Sequence, residues 1–259
     1  MIYSESMPAA AQVLGLKRGD IVTLSGGGGK TSIMFTLGAE LARYGFRVLV
    51  VTTTHIGVPK PGEADCLLMA GERELPALLD TFFSKGAGLV VAGTGMEESF
   101  RLCAVSPEFV CRIAGCGTVD FILIEADGAA MKPFKAPRSY EPVIPACTTL
   151  ALTVAGLDAL GLELDARHVH RPERIAALTG LREGERIGSD VMADVLCHPE
   201  GGRRNVPAGA RWHPVINKVD SEKHAPAALE LAGRLLEKGA GQVFLSSTLD
   251  GQLRIDLVV

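Results

Sequence analysis

Four consecutive glycines stand directly before a lysine and a threonine in the stretch VTLSGGGGKTS, residues 22–32. Glycine lets a backbone approach a ligand closely, and N–H groups at the start of a helix attract anions. We therefore expect the N–H groups of residues 27–30 to face phosphate oxygens, Lys30 to reach the β and γ phosphates, and Thr31 to ligate Mg²⁺. The nucleotide-binding candidates of this stretch are Gly26, Gly27, Gly28, Gly29, Lys30, Thr31 and Ser32.

Two acidic residues follow a second apolar run, in the stretch FILIEADGAA. Because side chains alternate along a strand, Glu125 and Asp127 should lie on the same side. We assign Asp127 to the Mg²⁺ ion, through Thr31 or a water molecule, and Glu125 to a supporting or general-base role. Lys30 completes this catalytic group. The alternative is that both acids merely end a strand.

A late apolar run ends in the motif N-K-x-D, in the stretch PVINKVD. Asp220 would accept from the N1–H and the exocyclic amine of guanine, the Lys218 stem would lie along the base, and Asn217 would brace the loop. Adenine lacks this pair of donors and would leave a buried Asp220 unpaired, so the motif favours GTP over ATP. The stretch LSST, residues 245–248, is expected to form a second base-contacting loop. The alternative is an ordinary turn in which Asp220 caps the helix that begins near Ser221.

Hydroxyl side chains and a histidine end the stretch VTTTH, residues 51–55. Ligands of doubly wound sheets bind at the carboxyl ends of the strands. Thr53, Thr54 and His55 are therefore candidates for sensing the γ-phosphate or for contacting a substrate. The strand preference of threonine explains each of the threonines equally well.

Short apolar runs alternate with longer helical patterns along most of the chain, which predicts a doubly wound, mainly parallel α/β sheet. The predicted strands span 21–25, 47–53, 88–92, 121–125, 149–154, 213–217 and 242–246, and the predicted helices span 30–44, 73–83, 107–114 and 221–236. A polar segment at about 156–207 lacks a strand pattern and carries two short helical patterns, near 172–178 and 190–197. We interpret it as a helical insertion in a single domain that covers residues 1–259.

The glycine stretch lies between a predicted strand and a predicted helix, with Gly45 at the C′ position of that helix. This is the setting of a phosphate-binding loop, and it predicts a sheet of the P-loop NTPase type. The pattern G-x-x-x-x-G-K-[ST] would need glycine where the chain has Leu24. The stretch instead fits the shorter pattern G-G-x-G-K-[ST] of the branch that includes nitrogenase iron protein and metallochaperone GTPases. Ser25 stands where that branch often has a lysine, and a glycine-rich turn without a ligand is the alternative.

Charge and hydropathy exclude some classes of function. The chain has 26 basic and 30 acidic residues, a net charge of −4, which gives no broad electrostatic footprint for nucleic acid or an anionic membrane. No apolar stretch approaches the roughly 20 residues of a membrane span. The N-terminal residues 1–20 also lack a basic start followed by a long apolar run. We expect a cytoplasmic protein that binds neither nucleic acid nor membrane.

The six cysteines contain no C-x-x-C pair. They are sparse for a chain of this length, so we expect reduced cysteines that serve as packing residues and not a disulfide framework. The alternative is a zinc site built from Cys103, Cys111 and Cys116.

Several motifs occur together in one order: SGGGGKTS, TTTH, EADGAAMKPFKAP, EPVIP, AGLDALG, HRPE and NKVD. In this order they resemble the selenium-dependent hydroxylase accessory proteins (YqeC family), and the resemblance spans nearly the whole chain. It implies a P-loop NTPase associated with the maturation of selenium-dependent molybdenum hydroxylases. Besides the phosphate-loop and acidic residues above, the resemblance nominates Lys132, Lys135, Glu141, His170 and Arg171.

The chemistry of these nominated residues suits anion binding. Lys132 and Lys135 lie in a loop held between prolines, which suits recognition of an anionic substrate; a solvated loop with incidental lysines is the alternative. Glu141 and His170 join them as substrate candidates. Arg171 lies in a basic run of the insertion and could close over the phosphates as an arginine finger, although surface charge also explains such a run.

These residues together predict a hydrolase that uses Mg²⁺ and GTP, or ATP, to drive assembly or delivery of a metal cofactor. The expected partners are a nucleoside triphosphate, a molybdenum hydroxylase client or a pterin cofactor, and a second copy of the chain in a homodimer. One alternative is phosphoryl or nucleotidyl transfer to a small anionic substrate. Another is a nucleotide-gated binding protein with negligible turnover.

Overall fold

A computed structural model describes residues 7–259. Residues 1–6 lie outside the described residues. They are the start of the N-terminal stretch in which the sequence shows no targeting pattern. The strands are β1 Ile21–Gly26, β2 Val48–Thr52, β3 His55–Gly57, β4 Cys66–Met69, β5 Leu89–Gly93, β6 Arg101–Cys103, β7 Phe121–Glu125, β8 Leu150–Gly156, β9 Arg211–Asn217, β10 Val243–Leu249 and β11 Gln252–Val258. The α-helices are α1 Ala9–Val13, α2 Lys30–Arg43, α3 Leu75–Ser84, α4 Pro107–Ala114, α5 Pro172–Thr179, α6 Ser189–Cys197 and α7 Ala225–Glu237.

The central sheet has nine strands in the order β11-β10-β9-β8-β1-β7-β2-β5-β4. Neighbouring strands are parallel except for β10 and β11, which form an antiparallel pair at one edge. The predicted α/β class and mainly parallel sheet are confirmed. Each predicted strand and helix is present, whereas β3, β4, β6, β11 and α1 were not predicted. Strands β3 and β6 pair with each other in a separate antiparallel sheet.

Helices cover both faces of the central sheet, which explains the nearly continuous apolar runs of its strands. On one face, α1 and α2 pack against side chains such as Leu24 of β1 and Val50 of β2. On the other face, α3 and α4 pack against the alternate side chains, such as Val51 of β2 and Ile124 of β7. Gly45, with φ of 88°, follows α2 as predicted.

The insertion between β8 and β9 carries α5 and α6 as predicted. Their apolar side chains Ile175 and Met192 share a buried cluster with Ile216 of β9 and Leu231 of α7. The insertion therefore packs onto the sheet and α7, and this explains why so polar a segment holds a fixed position.

One expectation about the cysteines is wrong. Cys111 of α4 is disulfide-bonded to Cys147, with their Cα atoms 5.5 Å apart. The residues lie 36 positions apart, so only the fold brings them to the distance that a disulfide requires. The same pairing removes Cys111 from the zinc site considered above. The free cysteines are Cys66, Cys103, Cys116 and Cys197.

No helix within residues 7–259 has both the length and the apolar character needed to cross a membrane.

Candidate functional site

The glycine loop connects β1 to α2 and passes very close to the backbone of β8. Gly26 and Gly28 have φ of 94° and 74°, in the left-handed region that favours glycine. A Cβ atom would lie 2.2 Å from the carbonyl oxygen of Val154 at the first position and 2.1 Å from the backbone nitrogen of Gly156 at the second. Larger residues at these positions would therefore push the loop away from β8.

The N–H groups of this loop fall into two sets. Gly27 donates to the carbonyl of Val154 at 2.8 Å and Gly28 donates to the carbonyl of Lys132 at 3.0 Å. The structure differs here from the expectation for Gly27 and Gly28, because their N–H groups fix the loop to its neighbours. Across residues 7–259, by contrast, no group accepts a hydrogen bond from the N–H of any residue from Gly29 to Ser32. These donors at the start of α2 are the ones available to an anion.

Lys30 is folded back over the loop and is only 4% exposed. Its Nζ donates to the carbonyl of Gly26 at 2.6 Å. The same atom lies 3.3 Å from Oδ1 of Asp127 and 3.7 Å from Oε1 of Glu125. Two carboxylates thus hold the ammonium group beside the unpaired N–H groups.

The two carboxylates hold different positions, and these differ from the predicted division of roles. Thr31 donates from Oγ1 to Oε2 of Glu125 at 2.6 Å. Both oxygens of Asp127 instead accept from the N–H of Gly26, each at 3.1 Å. Both carboxylates reach the Lys30 ammonium, on the same side as alternation predicts, although β7 ends at Glu125 and Asp127 lies beyond the strand. Glu125, and not Asp127, therefore lies against the hydroxyl expected to ligate Mg²⁺.

A chain of alternating charges continues from Asp127 into the insertion. Lys135 donates to the carbonyl of Gly128 at 2.7 Å and to Oε2 of Glu141 at 3.1 Å, and its Nζ lies 2.9 Å from Oδ2 of Asp127. Glu141 in turn accepts from both terminal nitrogens of Arg171, one of them at 2.9 Å. The Lys135 side chain is 1% exposed and its Nζ contacts three oxygen atoms of the protein. Its contact with a substrate stays a prediction.

The charge chain controls the ionisation of the groups at its end. Burial would raise the pKa of Glu141, but hydrogen bonds from Arg171 and Lys135 and their charges overcome burial and lower it to about 2. Burial lowers the pKa of His170, and the charges of Arg171 and Lys135 lower it further. At neutral pH the structure therefore holds a charged Glu141 beside a neutral His170.

A cavity of about 910 Å³ opens beside the glycine loop. It brings together many of the predicted residues, namely Gly28, Gly29, Lys30, Thr31, Ser32, Thr54, His55, Glu125, Lys132, Glu141, His170, Arg171 and Lys218. Its lining does not include Gly26, Gly27, Thr53, Asp127, Lys135, Asn217 or Asp220. The predicted substrate role of Thr53 is not supported, because this side chain is buried and donates to the carbonyl of Val143 at 2.6 Å.

Asn217 braces the glycine loop, as the N-K-x-D motif predicts. Its Nδ2 donates to the carbonyl of Gly28 at 2.8 Å, and its Oδ1 accepts from Ser246 at 2.9 Å. A Cβ atom at Gly29 would lie 2.4 Å from this Nδ2. The loop that follows β9 is therefore in direct contact with the loop that follows β1.

Asp220 contacts the predicted second loop. Its Oδ1 accepts from the hydroxyl of Ser247 at 2.6 Å. The short 3-10 helix that follows spans Glu222–His224 and has Ser221 at its N-cap, without a side-chain cap, so Asp220 is not a capping residue. Asp220 and Ser247 line a second cavity of about 430 Å³, whereas Lys218 lines the large cavity.

Comparison with known proteins gives a consistent result. The family model described as "YqeC protein" matches residues 22–173. The "Uncharacterized protein YqeC" of Escherichia coli (strain K12) is 32% identical over 230 residues, which cover 88% of each chain.

The chain belongs to the YqeC family.

The matched region of this YqeC chain includes the glycine loop, both carboxylates and the charge chain as far as Arg171. It ends before Asn217, so the family model does not cover the loop that braces the glycines. The structure thus joins a part of the chain that the family model describes to a part that it does not.

Residues that sequence reasoning did not single out also line the large cavity of this YqeC chain, among them Ser99, Phe100, Arg101 and Met131. The pairing of β3 with β6 carries the first three to the cavity, beside His55. These strands are only three residues long and show no periodicity, so the sequence offers no signal for them.

The residues that suit Mg²⁺ are Thr31 and Glu125. Mg²⁺ prefers oxygen ligands and is commonly held by one or two carboxylates together with phosphate oxygens. Across residues 7–259 there is no group of three or more histidine, cysteine or acidic side chains that would hold a metal by itself. The donor set therefore fits an ion that arrives with a phosphate ligand.

Proposed function

We infer that this YqeC-family chain is a Mg²⁺-dependent nucleoside triphosphatase that favours GTP over ATP. The observation that carries this function is the set of unpaired N–H groups from Gly29 to Ser32, which lies beside the buried ammonium of Lys30. Oriented N–H donors at the start of a helix, together with a lysine, are the means by which phosphate-binding loops hold a triphosphate.

The side chains around the loop have distinct roles in this proposal. The Lys30 ammonium contacts the phosphates, and Asp127 holds the loop through Gly26. Thr31 and Glu125 hold the Mg²⁺ ion, which would neutralise charge on the phosphate oxygens. Arg171 is the candidate for contact with the terminal phosphate, because it lines the large cavity together with Lys30 and Thr31.

The contacts of Asp220 support the preference for guanine. Ser247 engages Oδ1 and leaves Oδ2 for a donor on a ligand. Guanine offers adjacent N1–H and amine donors, whereas adenine would leave this carboxylate unsatisfied.

The biological role that fits this activity is maturation of selenium-dependent molybdenum hydroxylases, through assembly or delivery of a metal cofactor. This part of the proposal rests on the order of the family motifs in the sequence. A molybdenum hydroxylase or a pterin cofactor is then the expected client. The name of the Escherichia coli relative describes no activity.

A second candidate is phosphoryl or nucleotidyl transfer to a small anionic substrate. The large cavity favours it, because the cavity extends past Glu125 to Thr54 and His55 and so leaves room beside the terminal phosphate. A nucleotide-gated binding protein would use the same loop without turnover.

Phosphate release from GTP and ATP, with and without Mg²⁺, tests the proposal. We expect release from GTP that requires Mg²⁺ and is lost in Lys30→Gln, since loss of a charge-assisted phosphate contact weakens binding by about a hundredfold. The exposed Lys223→Gln serves as the matched control and should behave as wild type. Binding without release would favour the gated binding protein, and a substrate-dependent loss of the terminal phosphate would favour the transferase. A folded wild-type protein that neither binds nor hydrolyses any nucleotide would refute all three.

A further inference from the structure

The large cavity extends to both sides of the phosphate loop, and the proposed nucleotide uses only one of them. The loop follows β1, in the middle of the sheet; the 217–220 loop follows β9, two strands away in one direction. His55 follows β2, which lies two strands away in the other direction, and Arg101 lies on the strand β6 that pairs with β3. A nucleotide with its phosphates at the glycine loop and its base at Asp220 extends toward β9. If the proposed function holds, the side of the cavity near β2 is left for another ligand.

The size of the cavity is consistent with two ligands. Its volume of about 910 Å³ lies near the top of the range of about 300–1,000 Å³ that is usual for small-molecule sites. Glu125 and Thr31 lie between its two sides, so a ligand near His55 would be next to the position proposed for the terminal phosphate.

The tip of a short hairpin presents an aromatic ring to this side of the cavity. Two backbone hydrogen bonds close the turn: the N–H of Phe100 donates to the carbonyl of Glu97 at 3.0 Å, and the N–H of Glu97 donates to the carbonyl of Arg101 at 2.8 Å. Phe100 has φ of 55° and is 74% exposed. Bulky residues rarely adopt this conformation, and such residues cluster at ligand sites, where the surrounding structure maintains them.

A second apolar side chain lines the same cavity from the loop after β7. Met131 has φ of 60° and is fully exposed, at 101% of its reference area. Its neighbour Ala130 also has a positive φ, of 48°. An exposed flexible thioether and an exposed aromatic ring that line the same cavity are suited to contact a flat apolar group.

The charged side chains that line the cavity indicate that the second ligand also carries an anionic group. The lining includes five lysines and arginines. Three of them, Lys30, Arg171 and Lys218, form ion pairs with carboxylates of the protein. Arg101 lies directly beside Phe100, and its Nη2 donates to the carbonyl of His55 at 2.5 Å. No carboxylate within residues 7–259 forms an ion pair with Arg101, so its remaining donors are available to an anionic group.

We propose that Phe100, Arg101 and Met131 form a second ligand site, which binds a small molecule with an anionic group and a flat apolar body beside the terminal phosphate of the nucleotide. Arg101 contacts the anionic group, and Phe100 and Met131 contact the apolar body. This proposal rests on the proposed function for the position of the nucleotide, but the residues of the second site are distinct from those that bind phosphate.

Fluorescence titration with anilinonaphthalene sulfonate, a flat aromatic anion, tests this site on full-length protein saturated with GDP and Mg²⁺. We expect binding at one site that Phe100→Ser and Arg101→Gln each weaken about tenfold or more. The control variants are Leu229→Ser, which removes an apolar side chain that is 52% exposed on α7, and the exposed Arg73→Gln. Both controls should bind the probe as wild type does.

A parallel titration with GTP separates failure of this site from failure of the nucleotide site. Phe100→Ser should keep its GTP affinity within about twofold of wild type, because it lies away from the phosphate loop. Displacement of the probe by nucleotide, or equal probe binding by wild type and Phe100→Ser, would overturn the second site. If no nucleotide binds but probe binding still depends on Phe100 and Arg101, the proposed function fails and the second site stands.

Discussion

The two sides of the large cavity differ in how completely their side chains are engaged by the protein itself. Beside the glycine loop, the lining residues Lys30 and Glu125 are 4% and 6% exposed, and each contacts at least two polar partners. On the other side, Phe100 before β6 is 74% exposed and Met131 in the loop after β7 is fully exposed. The first side is held by buried charges and close backbone contacts, whereas the second presents side chains that are largely exposed to solvent.

Under the two proposals, the first side of the cavity binds the nucleotide phosphates and the second side binds the other ligand. Every nucleotide carries the same phosphates, so a loop that binds them gains from being fixed in advance. Side chains that remain exposed can adjust to the shape of a second ligand, because rearranging them costs less free energy than rearranging buried side chains. We therefore expect substitutions on the fixed side to change stability and nucleotide binding strongly, and substitutions on the exposed side to change them little.

The largest effect is expected where the fixed side is most buried. Lys135→Met should lower the free energy of unfolding by about 3–5 kcal/mol, because it leaves Asp127 and Glu141 without their shared partner. Chemical denaturation measures this change, and the control is Lys132→Met, whose ammonium group contacts a single carbonyl, that of Arg167. Equal destabilisation by the two variants would show that the buried charge chain does not hold the fixed side together.

The next effect tests the proposal that the 217–220 loop contacts a guanine base. In Asp220→Asn, the new amide group places a donor opposite the N1–H donor of guanine, which weakens GTP binding. The same amide can donate to the carbonyl that xanthine carries in place of the guanine amine, so nucleotide preference should move from GTP toward XTP. A lost charge-assisted contact of this kind costs about 2–4 kcal/mol, or roughly thirty- to a thousandfold in affinity. Competition binding of GTP, XTP and ATP measures the change. An unaltered ranking of the bases in the variant would reduce the motif to an ordinary turn.

A smaller effect separates the two carboxylates of the fixed side. Glu125→Gln should weaken Mg²⁺-dependent nucleotide binding about ten- to a hundredfold, since Glu125 accepts from Thr31. Asp127→Asn should leave the Mg²⁺ dependence unchanged and act mainly on stability, because Asp127 contacts Gly26 and two lysines. Titrating Mg²⁺ at fixed nucleotide concentration distinguishes the variants. The opposite result would return the metal to Asp127.

The smallest effect is expected on the exposed side. Phe100→Gly should keep or raise the free energy of unfolding, by up to about 1 kcal/mol, because glycine accepts the positive φ without strain. Gly28→Ala is the contrasting variant, since its Cβ atom would meet the backbone of Gly156. Denaturation of both variants measures the contrast. A large loss of stability in Phe100→Gly would mean that the two sides do not differ as described.

The sequence predicted the fixed side better than the exposed one, for physical reasons. The glycine loop with Lys30 and Thr31 is a local pattern, and the apolar strands that carry it are long enough to recognise. Which lysine of the proline-held loop turns inward depends on Asp127 and Glu141, and these contacts form only when distant segments meet.

Other features lacked a local signal of this kind. The hairpin that carries Phe100 is built from very short strands, and the pairing of Cys111 with Cys147 depends on the packing of α4. Strand β11 was not predicted although the sequence contains a signal for it. Its buried residues Leu253 and Ile255 alternate with exposed ones, which is the pattern of a strand with one buried face.

Calorimetric titration of the wild-type protein with GTP, ATP and CTP in the presence of Mg²⁺ tests the central claim most directly. We expect one GTP per chain, with ATP and CTP weaker by about tenfold or more, and loss of the GTP signal in Lys30→Gln. The absence of binding heat for every nucleotide across a range of temperatures, with a protein that denaturation shows to be folded, would contradict the account.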